Sequence, residues 1–148
     1  MPDEKSIAAE IVALHEALAV WLSGRCPHVN AFFEKEFRAR FHPEFFNIQP
    51  AGIVLTRADL LHTLDNGYGR SRDFHIRIRN VQLRQIMAPL ILATYEEYQT
   101  GAQNSARSNN ARLSSVLFEK HEDGRLLWRA IHETWLSEEN HAAANFAF

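Results

Sequence analysis

Apolar residues in the first third of the chain repeat every three or four positions, which is the spacing of one helix face. The first stripe ends at Ser23-Gly24 and comprises Ile7, Ile11, Leu14, Leu18, Trp21 and Leu22. A second helix is predicted to begin near Pro27, because proline fits the first turn of a helix, and to end at His42-Pro43. Its apolar face consists of Val29, Phe33, Phe37 and Phe41.

Two short strands and a third helix are predicted next. The strands are residues 45–49 and 53–55, and Pro50-Ala51-Gly52 forms the turn between them. The segment TRAD at 56–59 approximates a capping box, with Asp in place of the usual Glu or Gln, and opens a helix that stops at Asn66-Gly67. The order of predicted elements is therefore helix, helix, hairpin, helix.

From Asp73 onwards the apolar period becomes two, which is typical of β-strands. Phe74, Ile76 and Ile78 alternate with polar residues, and residues 90–99 form the next strand. Residues 112–121 and 125–137 form a hairpin, because Asp123-Gly124 supplies the glycine that takes a positive φ in such turns. Four long antiparallel strands after three helices predict an α+β fold, and 148 residues fit one domain spanning 1–148.

Composition and charge exclude several classes of protein. A hydrophobic fraction of 46% and a charged fraction of 23% are typical of a soluble globular protein. A net charge of −2 gives no general attraction to nucleic acid or to an anionic membrane. The arginines between 70 and 84 are interpreted as a solvated strand face in preference to a polyanion site. No apolar stretch approaching the bilayer-spanning length of about 20 residues is recognised.

Cysteine usage and the N-terminal sequence indicate the compartment. Cys26 is the single cysteine, which excludes an intramolecular disulfide and suits a reducing environment. The N-terminus is acidic and lacks the basic and apolar segments of a secretory signal. A cytoplasmic location is therefore expected.

Several segments resemble the nuclear-transport-factor-2-like (NTF2-like) superfamily, especially SnoaL-like cyclases and the association domain of calcium/calmodulin-dependent kinase. They are PAGIVLTRADLLHTL, ATYEEYQTG, ARLSSVLFEK and WRAIHETWLS. The resemblance implies a strongly curved antiparallel sheet that wraps the N-terminal helices into a cone, with a pocket at its open end. It also implies a dimer through the opposite sheet face. Thr134 replaces a second histidine of the family's last strand, and Glu97 stands where the kinase domain has a pocket arginine.

Strand alternation predicts which side chains share the pocket. Trp128, His132 and Thr134 are expected to point together, as are Tyr95 and Glu97. Burial would raise the pKa of the Glu97 carboxyl beside His132, giving an acid/base pair for proton abstraction or dehydration. The alternative is a hydrogen-bonded pair that only fixes the sheet. The extra leucine before Trp128 permits a bulge, and a slip of one residue would turn His132 outwards.

Other candidates come from the helices. Trp21, Phe33 and Tyr68 are predicted to line the pocket together with Trp128, and His15 and His62 lie near its mouth. At helical spacing, however, aromatic residues more often form the core. The histidines show no His-x-His or HExxH spacing, so neither a metal nor a cofactor is expected.

Two functions remain open. The first is a small-molecule pocket protein that binds a compact apolar substrate or transforms it as a cofactor-independent isomerase, cyclase or dehydratase. The second is an association module without catalytic activity. In either case a homodimer is expected. The outer face of the sheet is predicted to expose large apolar side chains among charged ones, and a second copy of the chain would cover them. The apolar residues are Val81, Leu83, Ile131 and Trp135, and the charged ones are Arg77, Arg79, Arg129 and Glu133.

Overall fold

The computed structural model describes residues 2–103 and 107–148. Its helices are α1 (Glu4–Ser23), α2 (Asn30–Phe33), α3 (Arg57–Gly67) and α4 (Glu138–Ala142), and a π-helical turn at Glu34–Arg38 follows α2. The strands are β1 (Phe41–Ile48), β2 (Val54–Thr56), β3 (His75–Met87), β4 (Leu90–Thr100), β5 (Asn110–Lys120) and β6 (Leu126–Trp135).

The six strands form one sheet in the order β2-β1-β6-β5-β4-β3. The four long strands β3 to β6 pair antiparallel with one another, as predicted. β1 pairs antiparallel with β2 but parallel with β6, so the sheet is mixed. Because α1, α2 and α3 precede the long strands and α1 packs on one face of the sheet, the predicted α+β architecture is confirmed.

α1 is the central helix of the core. The Asp3 side chain caps its first turn by accepting a hydrogen bond from the Ser6 backbone, and Gly24 ends it with a φ of 77°. Its buried stripe includes Ile7, Ile11 and Trp21, which pack against the inner face of the sheet. With 20 residues, α1 is also long and apolar enough to cross a membrane, contrary to the sequence analysis. A core helix meets the same criterion.

The second predicted helix is shorter than expected. It ends at Arg38, and Phe41 belongs to β1, where it pairs with Trp128 in the parallel register. The Trp128 backbone N–H donates to the Arg40 carbonyl at 2.9 Å, which fixes the start of this strand. Spacing alone could not reveal this, because Phe41 is buried in the core whether it continues a helix or begins a strand.

The outer face of the sheet differs from the expectation in all four apolar residues that were assigned to it. Val81 and Leu83 pack against the core and Ile131 belongs to it. Trp135 lies opposite Arg112 on the inner side, with the guanidinium 5.0 Å from the centre of its ring.

Two irregularities in the strands explain this. Asn80 has a φ of 52° and lies at a register shift in β3, so the alternation reverses after Arg79. A second register shift lies in β6 before Ile131. The assignment of the four apolar residues to the outer face was therefore wrong.

The C-terminal segment docks on the outer face of β3 and β4. The Phe146 ring lies 6.0 Å from the ring of Tyr98. The Arg77 guanidinium lies 5.3 Å from the centre of the Phe148 ring. This segment therefore covers part of the sheet that would otherwise be open.

Candidate functional site

A β-bulge in β6 decides which of the predicted site residues enter the cone. Phe118 pairs with Trp128, whereas Leu117 pairs with Ala130, so Arg129 is an extra residue in the strand. After Arg129 the alternation of inward and outward side chains reverses. Ile131 is buried, and the Glu133 side chain is about 10% exposed and contacts residues of the interior.

His132 and Thr134 consequently lie exposed on the outer face. The prediction that they share the pocket with Glu97 was wrong, and so was the placement of Glu133 on the outer face. The physical reason is the single residue that the bulge adds, which turns every later side chain of the strand over. His132 therefore does not form an acid/base pair with Glu97.

Glu97 and Tyr95 are both buried on the inner side of β4. Glu97 pairs with a histidine that the sequence analysis placed only near the pocket mouth. Its Oε1 lies 3.1 Å from Nε2 of His15, and each side chain is about 5% exposed. His15 reaches this position from the middle of α1, where it follows the buried Leu14. The site thus joins the central helix to the sheet.

The contacts of His15 indicate a charged imidazolium. Its Nδ1 lies 2.7 Å from the Ile11 carbonyl and its Nε2 faces the Glu97 carboxylate, so both ring nitrogens face acceptors. Burial opposes the charged form, but the charge of Glu97 and its hydrogen bond outweigh this and raise the pKa of His15. Burial also disfavours the charged Glu97, yet His15, followed by Arg112, lowers the pKa of Glu97 to about 2. The expectation of a raised pKa at Glu97 was wrong.

A chain of hydrogen bonds continues from Glu97 towards the open end of the cone. Gln99 Nε2 donates to Glu97 Oε2 at 2.5 Å. Gln99 Oε1 accepts from Asn110 Nδ2 at 3.2 Å, and Asn110 Oδ1 accepts from Arg112 Nη2 at 3.0 Å. Gln99 and Arg112 are therefore held in place from below by buried partners.

The chain ends on β6 and β1. Arg112 Nη1 lies 3.4 Å from Glu133 Oε1, and Asn47 Nδ2 donates to Glu133 Oε2 at 3.3 Å. Burial, followed by the charge of Glu97, raises the pKa of Glu133, although Arg112 and Asn47 partly oppose this. The sequence analysis did not identify Arg112, Glu133 or Asn47 as site residues. Arg112 lies four and six residues before Val116 and Phe118, so strand alternation places it on the same face as these apolar residues, and this pattern could have pointed to it.

Two buried hydroxyl groups adjoin this chain. Tyr95 and Ser114 are directly opposite each other on β4 and β5. Burial, followed by the charges of Glu97 and Glu133, raises the pKa of Tyr95 well above its usual value. The nearby Ser114 hydroxyl partly opposes this rise in the pKa of Tyr95. Neither the Tyr95 nor the Ser114 hydroxyl oxygen has a well-formed hydrogen bond to any described residue. The inner polar cluster therefore keeps unused hydrogen-bonding capacity.

A cleft of about 550 Å³ opens above the chain of hydrogen bonds, at the mouth of the cone. Gln99 and Arg112 border it from the sheet, and His62 and Asn66 border it from α3. Leu22 and Phe74 contribute apolar surface. Glu97, His15 and Tyr95 lie deeper and are not part of this lining. The predicted pocket residues thus separate into a buried cluster and an accessible cleft.

The aromatic residues proposed as pocket lining lie elsewhere. Trp21, Phe33 and Trp128 belong to the hydrophobic core. Trp128 donates its Nε1–H to Glu10 at 2.8 Å, and Trp21 donates to the Leu64 carbonyl at 2.7 Å. Tyr68 hydrogen-bonds through its hydroxyl to the Cys26 carbonyl and borders a separate shallow groove. None of these four residues lines the cleft.

Among residues 2–103 and 107–148, no group of three or more His, Cys, Asp or Glu side chains is arranged to hold a metal ion. The carboxylates and the histidine of the buried cluster are instead paired with each other or with Arg112 and amide groups.

The chain was compared with known proteins at the level of sequence and of structure. No protein-family model matches it, and no curated protein matches it. Its structure is similar to many solved structures with the NTF2-like fold, which is also described as cystatin-like. The predicted resemblance is thereby confirmed at the level of the fold, and the chain forms an α+β cone of this type.

Three of these structures illustrate the range of sequence identity and structural similarity. An NTF2-like protein of unknown function from Pseudomonas aeruginosa is 27% identical, with a TM-score of 0.77 over 88% of this chain and 98% of that chain. An uncharacterised cystatin-like protein from Caulobacter vibrioides is 16% identical, with a TM-score of 0.69 over 91% and 90%. ActVI-ORFA from Streptomyces coelicolor is 20% identical, with a TM-score of 0.55 over 87% and 96%.

Proposed function

We propose that the protein binds a small organic molecule in the cleft at the mouth of the cone. The volume of about 550 Å³ falls within the range of small-molecule sites, which is roughly 300–1,000 Å³. The observation that carries the proposal is that Gln99 and Arg112 border this cleft and are fixed by buried partners. A polar group that is already held in one orientation loses little conformational entropy when a ligand binds to it.

The lining favours a ligand that is both apolar and polar. Leu22 and Phe74 offer contacts to an apolar body, while Gln49, Gln99 and Arg112 offer hydrogen-bonding groups. The compact apolar substrate suggested by the sequence is therefore revised to a compact molecule with at least one polar group.

Binding is favoured over catalysis by the state of the buried ion pair. An acid/base catalyst must reach the substrate and exchange a proton with it near the working pH. Glu97 and His15 are each 4% exposed and lie below the cleft. The lowered pKa of Glu97 keeps its carboxylate charged around neutral pH, and the raised pKa of His15 favours the charged form of its ring. An isomerase, cyclase or dehydratase that uses this pair thus has weaker support than a binding protein.

A fragment screen followed by two-dimensional NMR tests the proposal. Ligands of the cleft should shift the backbone amide signals of Gly67, Ser71 and Ala102, which line it. The amides of His132 and Thr134 on the outer face serve as the internal control. A screen in which every hit shifts only signals outside the cleft, or which gives no hits, would contradict the proposal.

We also propose that the protein forms a homodimer through the exposed part of the sheet's outer face. Phe46 and Leu113 remain about 40% exposed there, at 39% and 41%. Phe46 lies opposite Ala130, and Leu113 lies between Thr134 and Glu96. A second copy of the chain would cover this surface in a two-fold contact. The association module remains the alternative function, and it uses this face in place of the cleft.

A further inference from the structure

The charge of the cleft differs from the charge of the chain. The chain carries 18 acidic residues against 16 lysines and arginines, for a net charge of −2. None of the described residues that line the cleft is Asp or Glu, whereas Arg70 and Arg112 both line it. A concave site with cationic groups and no acidic lining concentrates anions, because the surrounding protein focuses the field into the opening.

The two arginines of the cleft have different roles. Arg112 is about 12% exposed, and its charge is balanced by Glu133 at 3.4 Å. Arg70 is exposed, and its guanidinium makes no ion pair with any described residue. Arg70 is therefore a cation of the cleft that no carboxylate in the described part of the chain neutralises.

The lining of the cleft also provides apolar contacts. Leu22 packs against the core from α1, and Phe74 is buried directly before β3. Both lie close to the segment that carries Arg70, because the Ser71 N–H donates to the Leu22 carbonyl and the Phe74 N–H donates to the Ser71 carbonyl. A ligand that contacts both this apolar surface and Arg70 needs an apolar body and an anionic end. A planar carboxylate matches a guanidinium with two parallel hydrogen bonds.

We infer that the cleft takes a compact organic carboxylate, with its apolar body against Leu22 and Phe74 and its carboxylate at Arg70. This inference rests on the proposed function and specifies its ligand class. Arg112 and Gln99 form the floor beneath the ligand, where their buried partners keep them in place.

Three probes of the same size and shape test the ligand class: benzoate, benzamide and benzamidinium carry charges of −1, 0 and +1. Each is titrated into the isotope-labelled protein while the amide signals of Gly67, Ser71 and Ala102 are followed. Benzoate should bind most tightly and benzamidinium least tightly. The preference for benzoate over benzamide should shrink as the salt concentration is raised, since salt screens exposed charges.

A pair of matched variants separates the local effect from net charge. Arg70→Gln should weaken benzoate binding about two- to fivefold, as expected for loss of one exposed ionic contact, and should leave benzamide binding unchanged. Arg72→Gln makes the same change of charge two residues away, beside a different groove, and should leave both affinities unchanged. Neither side chain is part of the buried network, so both variants should fold.

The outcomes distinguish the ligand class from the function. If benzamide or benzamidinium binds as tightly as benzoate, or if Arg70→Gln behaves like Arg72→Gln, the carboxylate class is wrong. If uncharged fragments shift the cleft signals while benzoate does not, the class is likewise wrong and the proposed binding function stands. If no compound shifts these signals, both proposals fail.

Discussion

His15 and Glu97 form an ion pair inside the cone, with their nearest nitrogen and oxygen 3.1 Å apart. The pair connects the middle of α1 to the last third of β4, and both side chains are almost fully enclosed. Enclosure makes the pair costly to break, because the remaining partner would be a buried charge without a counter-charge.

The first prediction concerns the loss of one partner. Glu97→Gln should lower the free energy of unfolding by about 3–5 kcal/mol, since it leaves His15 without its carboxylate. Urea denaturation followed by circular dichroism measures this. Glu16→Gln changes an exposed residue of the same helix and should alter stability by less than about 0.5 kcal/mol. Equal effects of the two substitutions would show that the pair does not contribute to stability.

The second prediction concerns pH. The lowered pKa of Glu97 stabilises the fold above the ordinary value of 4.5, and this contribution is lost as the pH falls towards about 2. The raised pKa of His15 stabilises the fold below the ordinary value of 6.5, and this contribution is lost as the pH rises through the raised value.

The two contributions overlap between pH 4.5 and 6.5. The difference in melting temperature between the wild type and the double variant His15→Gln/Glu97→Gln should be largest in this window. It should decrease on both sides, which a pH series of thermal melts would detect. A difference that is constant from pH 3 to pH 9 would mean that the two residues are not ionised as a pair.

The third prediction compares two neighbours on β6. His132→Ala should change stability by less than about 0.5 kcal/mol and leave the fragment affinities of the cleft unchanged, because His132 is exposed on the outer face. Glu133→Ala should destabilise the protein strongly, since it removes the carboxylate partner of the buried Arg112. The opposite order of effects would place His132 inside the cone.

The fourth prediction concerns a glycine beside the cleft. Gly101 has a φ of 69°, and a Cβ atom there would lie 2.1 Å from the Asp73 carbonyl oxygen. Gly101→Ala should therefore destabilise the protein by more than the 1 kcal/mol or so expected from a positive φ alone. Gly52→Ala is the control, because Gly52 has a φ of 86° but open space around its Cα. If the two substitutions lower the melting temperature equally, the close contact between residue 101 and the Asp73 carbonyl is excluded.

The fifth prediction tests the homodimer. Leu113→Glu places a charge on the outer face and should convert a dimer to a monomer in sedimentation at micromolar concentration. Val29→Glu alters an apolar residue of similar exposure, 48%, next to α2, and should leave the dimer intact. A wild-type protein that sediments as a monomer would refute the proposal directly.

The sequence predicted the long strands well because apolar and polar residues alternate along most of their length, although register shifts within β3 and within β6 reverse the alternation. It also predicted the start of α3, where the Thr56 side chain and the Asp59 side chain form the reciprocal capping box. It could not predict the faces of β6, since one extra residue reverses them. A local sign was present nonetheless: Trp128 and Ile131 are both large and apolar but three residues apart, which a regular strand cannot place on one face.

The partner of Glu97 was harder to find. His15 lies four residues after Ile11 on the inward stripe of α1, so a polar side chain in an apolar stripe was visible. Which residue it meets depends on the distance between the helix and β4, and that distance is set by packing between segments far apart in the chain. The set of residues that line the cleft depends on the same packing, and the sequence analysis missed most of them.

The bulge at Arg129 has a consequence for how this chain could change during evolution. Loss of that single codon would remove the bulge and leave every later side chain on its present face, because Ala130 already pairs with Leu117, the residue next to the partner of Trp128. Deletion of Arg129 would therefore keep Ile131 and Glu133 inside the cone. A strand that kept Arg129 but paired it regularly with Leu117 would instead exchange the two faces, and Glu133 would then place a carboxylate on the face proposed for the dimer.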